Sequence, residues 1–167
     1  MLPQPQRIMK PSPQAFDEVH ALKCELASEL LRTSGSLRLR VTGWSMLPAV
    51  WPGDTLVIER AESGSVSEGD IVLFGRDGRF FAHRVVAKSS PAADAQLLTR
   101  GDANPQADPL VSDRDLLGKV TSIVRNGKRI EPSRTPRLSE RAVAALARNS
   151  EVAARVVVGV RGMRQNS

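Results

Sequence analysis

Residues 37–60, LRLRVTGWSMLPAVWPGDTLVIER, hold two short β-rich runs on either side of a segment rich in glycine, proline and tryptophan. The flanking runs LRLRVTG and DTLVIER predict two strands. Between them, proline restricts the backbone and glycine permits close backbone approach, so a rigid turn is expected. That turn contains Ser45, which is a weak nucleophile unless another part of the chain supplies a base.

Further β-rich runs follow, separated by turn residues, and they indicate the fold class. They read DIVLFGR, RFFAHRVVAK, QLLTR and LLGKVTSIV, and an Asn126-Gly127 turn leads from the last of them into KRI. The composition of residues 61–69 and 89–95 predicts surface loops. The spacing of the runs predicts a mainly β fold, either an antiparallel sheet or a partly closed barrel.

Helical patterns flank this β region. Residues 13–34 are predicted to form an amphipathic helix after a disordered, proline-rich arm over residues 1–12. Residues 132–167 are predicted to form a basic helical tail, which leaves residues 35–131 as the central domain. The apolar residues at helical spacing in the first helix are Phe16, Val19, Leu22, Leu26 and Leu30.

Composition limits the classes of protein to which the chain can belong. A length of 167 residues with 41% apolar content suits one core. The single cysteine, Cys24, excludes an internal disulfide, and His20 four residues before it has no evident further ligands for a metal. No cofactor is expected. The chain lacks an apolar run of roughly 18 residues and a signal-peptide segment, so a cytoplasmic location is expected.

The basic charge lies in the C-terminal part of the chain. Residues 1–124 hold 14 Lys/Arg and 15 Asp/Glu, whereas residues 125–167 hold 10 and 3. Such a tail suits either packing on the body or a partner, or peripheral contact with an anionic membrane. It contains no aromatic residue for base stacking, which argues against nucleic acid as a partner.

A histidine and an acidic loop supply the groups that could activate Ser45. Side chains alternate along a strand, so His83 shares a face with apolar Phe81 and Val85, where an imidazole can stay neutral and accept a proton. Asp102 or Asp108, in the loop after QLLTR, could fix its tautomer. Calcium binding by this loop is a weaker alternative, since glycine and proline interrupt the cluster and EF-hand spacing is absent.

Four segments in this order resemble the serine peptidase superfamily that contains the type I signal peptidases and the self-cleaving LexA-type repressors, the S24/S26 superfamily. GWSMLP with WPGD resembles the nucleophile box, GDIVLF the following strand, FAHRVV the base box, and LLTRGDANPQADP the acidic box. The resemblance spans about residues 37–124 and implies the β-clip or partly closed barrel of that superfamily. Each box alone would be a weak signal, but the ordered set is specific.

The resemblance also implies roles for individual residues. Ser45 becomes the nucleophile, His83 the general base and Asp102 the acid that orients it, with Asp108 a further candidate. Many relatives carry lysine as the base, and the histidine here is similar to the branch of the endoplasmic reticulum, archaea and sporulating bacteria. Lys88 falls on the opposite strand face from His83, while Lys119 remains an alternative base.

The sequence therefore predicts a serine endopeptidase that cleaves a specific protein or peptide precursor through an acyl-enzyme. The alternative is a regulatory or binding module on the same fold, either catalytically silent or cleaving itself once. A repressor with a helix-turn-helix domain is not expected, because the N-terminal region offers a single helix.

Overall fold

The computed structural model describes the backbone of residues 13–89 and 95–135, and side chains from residue 22 onward. This part of the chain forms one long helix, seven strands and a short 3₁₀ helix at Ser63–Ser65. The elements are α1 (Pro13–Ser34), β1 (Ser36–Arg40), β2 (Thr55–Arg60), β3 (Ile71–Arg76), β4 (Arg79–Lys88), β5 (Leu97–Arg100), β6 (Leu116–Arg125) and β7 (Lys128–Ile130).

All seven strands join one antiparallel sheet in the order β1-β2-β6-β3-β4-β5, with β7 paired to β6. The prediction of a mainly β, antiparallel fold is confirmed. The sheet is not closed, because the described pairings run from β1 to β5 without joining these two strands. Helix α1 contacts β1, so the outer strand of the sheet is covered by a helix instead of a further strand.

The central strand β3 is apolar on both faces, and this explains the continuous run IVLF. Ile71 and Leu73 point into one core, whereas Val72 and Phe74 point into the other. The larger core consists of Leu31, Met46, Val50, Leu56, Ile58, Ile71, Leu73, Val120 and Ile123. The second consists of Val66, Val72, Phe74, Val85, Leu97, Val111 and Leu116.

Helix α1 has the predicted bounds but packs through a different side. Leu22, Leu26 and Leu30 of the apolar stripe are 55%, 57% and 51% exposed. Ala27 and Leu31 are the buried apolar residues of its described side chains. The sheet contacts the side of the helix next to the apolar stripe. The spacing of the apolar residues therefore did not identify the packed face by itself.

Two of the predicted turn regions are described. The Asn126-Gly127 turn joins β6 to β7, and both of its residues have positive φ angles, 51° and 74°. Segment 61–69 is a loop that contains the 3₁₀ helix. The arm over residues 1–12, most of loop 89–95 and the helical tail beyond residue 135 lie outside the described residues. Among those that are described, no helix has the length and apolar character to span a membrane.

Gly118 lies where β6 pairs with β2 and β3 at once, opposite Arg60 on one side and Leu73 on the other. A Cβ at this position would lie 2.3 Å from the carbonyl oxygen of Glu59. We expect Gly118→Ala to lower the free energy of unfolding by about 2 kcal/mol or more, because the backbone of β2 at Glu59 would have to shift.

Urea unfolding followed by circular dichroism measures this change. Gly75→Ala in β3 is the matched control, since its Cβ would meet only Leu117 Cδ1, at an ordinary 3.9 Å. We expect the control to change stability by about 0.5 kcal/mol or less. Equal stability of the two variants would contradict the close approach at Gly118.

Candidate active site

The loop between β1 and β2 holds Ser45 in a fixed position. Its turns are closed by hydrogen bonds from the Leu47 N–H to the Trp44 carbonyl and from the Val50 N–H to the Met46 carbonyl, both 3.0 Å. Met46 and Val50 are buried in the larger core, so apolar packing anchors the part of the loop that follows the serine. The Ser45 carbonyl accepts a 2.8 Å hydrogen bond from the N–H of Ala103 in the acidic loop.

The end of this loop that leads into β2 is held by the buried carboxylate of Asp54. Asp54 accepts a 2.8 Å hydrogen bond from the Trp51 N–H and pairs with the Arg125 guanidinium at 2.6 Å. Arg125 also donates to the Ala49 carbonyl at 2.9 Å. The Gly53-Asp54 pair thus closes the loop onto β6, because one carboxylate satisfies both a loop amide and a strand guanidinium.

His83 lies on β4 with its side chain on the same face as Phe81 and Val85, as alternation predicted. Its Nε2 lies 3.0 Å from Ser45 Oγ, and its Nδ1 lies 2.7 Å from Asp108 Oδ2. The Phe74 and Phe81 rings are each 5.9 Å from the imidazole, centroid to centroid, and the imidazole is buried. Since a carboxylate can only accept, Nδ1 carries a proton and Nε2 is free to accept one from the serine.

Asp108 receives two hydrogen bonds at the same oxygen, Oδ2. Besides His83, the Thr99 hydroxyl donates to it at 2.7 Å. Burial pushes the pKa of Asp108 upward, whereas the hydrogen bonds from His83 and Thr99 push it downward. The charges of His83 and Arg76 add to the lowering, and the resulting pKa lies below the usual aspartate value of 3.8. Asp108 is therefore ionised at neutral pH.

The structure corrects the choice of orienting acid made from the sequence. Both carboxylate oxygens of Asp102 accept hydrogen bonds from Arg84, at 2.8 and 2.7 Å. Arg84 follows His83 in the strand, so its side chain projects from the opposite face of β4 and holds Asp102 there. Of the two aspartates named from the acidic box, Asp108 is the one hydrogen-bonded to the imidazole.

The two lysines considered as bases are engaged elsewhere. Lys88 Nζ donates to the carbonyls of Gly64 and Val66, each at 3.2 Å. Lys119 Nζ forms an ion pair with Asp70 at 3.1 Å. The imidazole of His83 is the basic group that contacts Ser45 Oγ.

Asp70, just before β3, is a buried carboxylate with several donors. Burial raises its pKa, but hydrogen bonds from the Ser67 N–H and Lys119, and the charge of Arg134, lower it below the usual 3.8. Because the folded pKa is depressed, ionised Asp70 stabilises the fold fully above pH 3.8, and this contribution is lost as the pH falls through the folded value.

We therefore expect Asp70→Asn to be less stable than the wild-type chain at pH 7, with a difference that shrinks as the pH is lowered below 3.8. Urea unfolding at pH 7, 4 and 2.5 measures the difference. The exposed Glu62, hydrogen-bonded through its backbone only, provides the control Glu62→Gln. A stability difference for Asp70→Asn that is the same at every pH would contradict the depressed pKa.

Sequence reasoning did not single out Thr99 as part of the site. Thr99 lies on β5 in the QLLTR run, and its side chain is fully buried beside Asp108. The only signal in the sequence is a hydroxyl residue in an otherwise apolar strand that leads into the acidic loop. Such a residue is common in strands, and only the fold brings it against Asp108.

A family model described as Peptidase S24-like matches residues 7–120, which is more than half of the chain and includes Ser45, His83 and Asp108. The chain belongs to the Peptidase S24-like family. No curated protein matches the chain.

Proposed function

We propose that the protein is a serine endopeptidase of signal-peptidase-like type that cleaves a protein or peptide precursor. The observation that carries the proposal is the continuous set of hydrogen bonds from Ser45 Oγ through His83 to Asp108, at 3.0 and 2.7 Å. We call these three residues the serine–histidine–aspartate array. A nucleophile, a base within hydrogen-bond reach and a third group that orients the base are what serine acyl transfer requires.

In the proposed reaction, His83 Nε2 takes the Ser45 hydroxyl proton as Oγ attacks the scissile carbonyl carbon. Asp108 stabilises the imidazolium that forms and itself stays ionised. The imidazolium then gives its proton to the leaving amine, and the acyl group remains on Ser45. A water molecule, deprotonated by His83, releases the acyl group and restores the serine.

The negative charge that develops on the carbonyl oxygen needs backbone donors. The Ser45 N–H is the proposed first donor, because it lies at the attacking residue and the loop is held rigid by its carbonyl bond to Ala103. One such donor typically contributes a factor of about 10²–10³ in rate. Gly43 stands two residues before the nucleophile, where some relatives carry a hydroxyl, so this chain would use another second donor.

The family also supports a second candidate, since LexA-type members include regulators. In that case the chain would bind a partner without cutting it, or would cleave itself once. The contacts of the array favour the peptidase, because a binding module has no need for a carboxylate and a buried imidazole aligned on a serine hydroxyl.

A proteome-derived peptide library tests the proposal. The wild-type chain and Ser45→Ala are incubated with the library, and new termini are identified by mass spectrometry while the intact mass of the chain itself is monitored. We expect a set of peptides cut at one recurring sequence by the wild type alone. Self-cleavage without cutting of peptides would support the regulatory alternative, and equal products from both chains would overturn the peptidase.

A further inference from the structure

Thr99 forms hydrogen bonds with Asp108 through both its main chain and its side chain. Its carbonyl accepts a 2.8 Å hydrogen bond from the Asp108 N–H, and its hydroxyl donates to Asp108 Oδ2 at 2.7 Å. The side chain is fully buried. The buried Thr99 hydroxyl therefore donates its proton to the carboxylate oxygen that also faces His83.

The segment that carries Asp108 has little regular structure of its own. Residues 101–110 contain no strand or helix, and prolines precede and follow Asp108 at positions 105 and 109. Beyond Asp108, Arg76 donates to the Pro109 and Leu110 carbonyls at 3.2 and 2.9 Å. Besides His83 on β4, strand β5 thus holds the Asp108 carboxylate through Thr99. Arg76 holds the backbone of the two residues that follow Asp108.

We propose that Thr99 is a positioning residue, whose hydroxyl directs Asp108 Oδ2 at His83 Nδ1. The proposal rests on the function proposed for the array, since it assigns a fourth residue to that site. The carboxylate can rotate about its Cβ–Cγ bond, and a single hydrogen bond from His83 does not prevent this. A second donor on the same oxygen does, because rotation would break both hydrogen bonds at once.

Two substitutions at Thr99 distinguish the effect of losing the hydroxyl group from the effect of changing the shape of the side chain. Thr99→Val replaces the hydroxyl by a methyl group of similar size and leaves Asp108 Oδ2 with one donor fewer. Thr99→Ser keeps the hydroxyl and removes a methyl group. A role in packing alone predicts that the serine variant suffers at least as much as the valine variant, whereas a positioning role predicts the reverse.

The first test needs no activity. The carboxyl ¹³C shift of Asp108 is followed by NMR over pH in the wild type, Thr99→Val and Thr99→Ser, with Asp108→Asn to assign the resonance. We expect Thr99→Val to raise the pKa of Asp108 by about 0.5–1 unit, since a donor to the ionised form is lost, and Thr99→Ser to leave it nearly unchanged. An unchanged Asp108 titration in Thr99→Val would overturn the proposal.

The second test uses a peptide cut by the wild type. We expect Thr99→Val to lower kcat about 10-fold with KM nearly unchanged, and Thr99→Ser to stay within about 3-fold. Equal losses of kcat in the two variants would show that Thr99 contributes packing alone and would overturn the proposal. If the wild type cuts no peptide, the function proposed for the array fails, while the titration still decides whether Thr99 holds Asp108.

Discussion

Replacing His83 by glutamine is expected to lower the rate of peptide cleavage by about 10⁴–10⁶-fold. Glutamine can hydrogen-bond to Ser45, but its amide cannot take up the hydroxyl proton as the serine attacks. Loss of the base alone removes almost the whole contribution of such an array in well-studied serine peptidases. Single-turnover cleavage of a peptide from the library, followed by mass spectrometry, measures the acylation step directly.

His20→Gln is the matched control, because it removes the other histidine of the chain, and we expect it to leave the rate within about 2-fold of the wild type. His83 is buried against Phe74 and Phe81, so the folded fraction of each variant is checked by urea unfolding. A folded His83→Gln chain that cleaves within about 10-fold of the wild-type rate would show that another base serves Ser45.

Replacing Arg84 by methionine is expected to lower the free energy of unfolding by about 3–5 kcal/mol. The side chains of Arg84 and Asp102 are only 7% and 8% exposed, and their two hydrogen bonds are 2.8 and 2.7 Å long. Removal of the guanidinium takes away a cation that donates to both oxygens of this buried carboxylate. It also removes the donor to the Gly69 and Ser133 carbonyls.

A double-mutant cycle with Asp102→Asn isolates the ion pair, and urea unfolding provides each free energy. We expect the double variant to be more stable than the sum of the single losses predicts, because both single losses include the same ion pair, which is lost only once in the double variant. Arg32→Met serves as the control. Arg32 pairs with Glu29 on the exposed surface of α1, where the expected loss is about 0.5 kcal/mol or less. Equal losses for Arg84→Met and Arg32→Met would contradict the buried role of Arg84.

The Ser45–His83 contact could be predicted from the sequence because each residue lies in a regular pattern. Alternation along RFFAHRVV places His83 on the apolar face of β4, and the order of four boxes indicates its partner. The choice between Asp102 and Asp108 could not be made in this way. Both lie in an irregular loop, where no periodicity indicates the direction of a side chain. The decisive contact comes from Arg84 on the opposite face of β4.

The strands were predictable for the same reason, whereas their closure and the packing of α1 were not. Short β-rich runs separated by turns indicate the number of strands, but an open sheet and a partly closed barrel have the same pattern. For α1, the stripe Leu22, Leu26 and Leu30 marks apolar residues at helical spacing. Which side meets the sheet depends on the path of β1, and the side that includes Ala27 and Leu31 is the one buried.

The central claim is that His83 activates Ser45, and covalent labelling tests it most directly. The purified wild type, Ser45→Ala and His83→Ala are treated with a panel of small serine-directed electrophiles, namely a fluorophosphonate, a sulfonyl fluoride and a penem. Intact mass and peptide mapping then locate any adduct. We predict a single adduct on Ser45 in the wild type and none in either variant. An adduct on another residue, equal labelling of His83→Ala, or no labelling of the wild type by any of the three would contradict the claim.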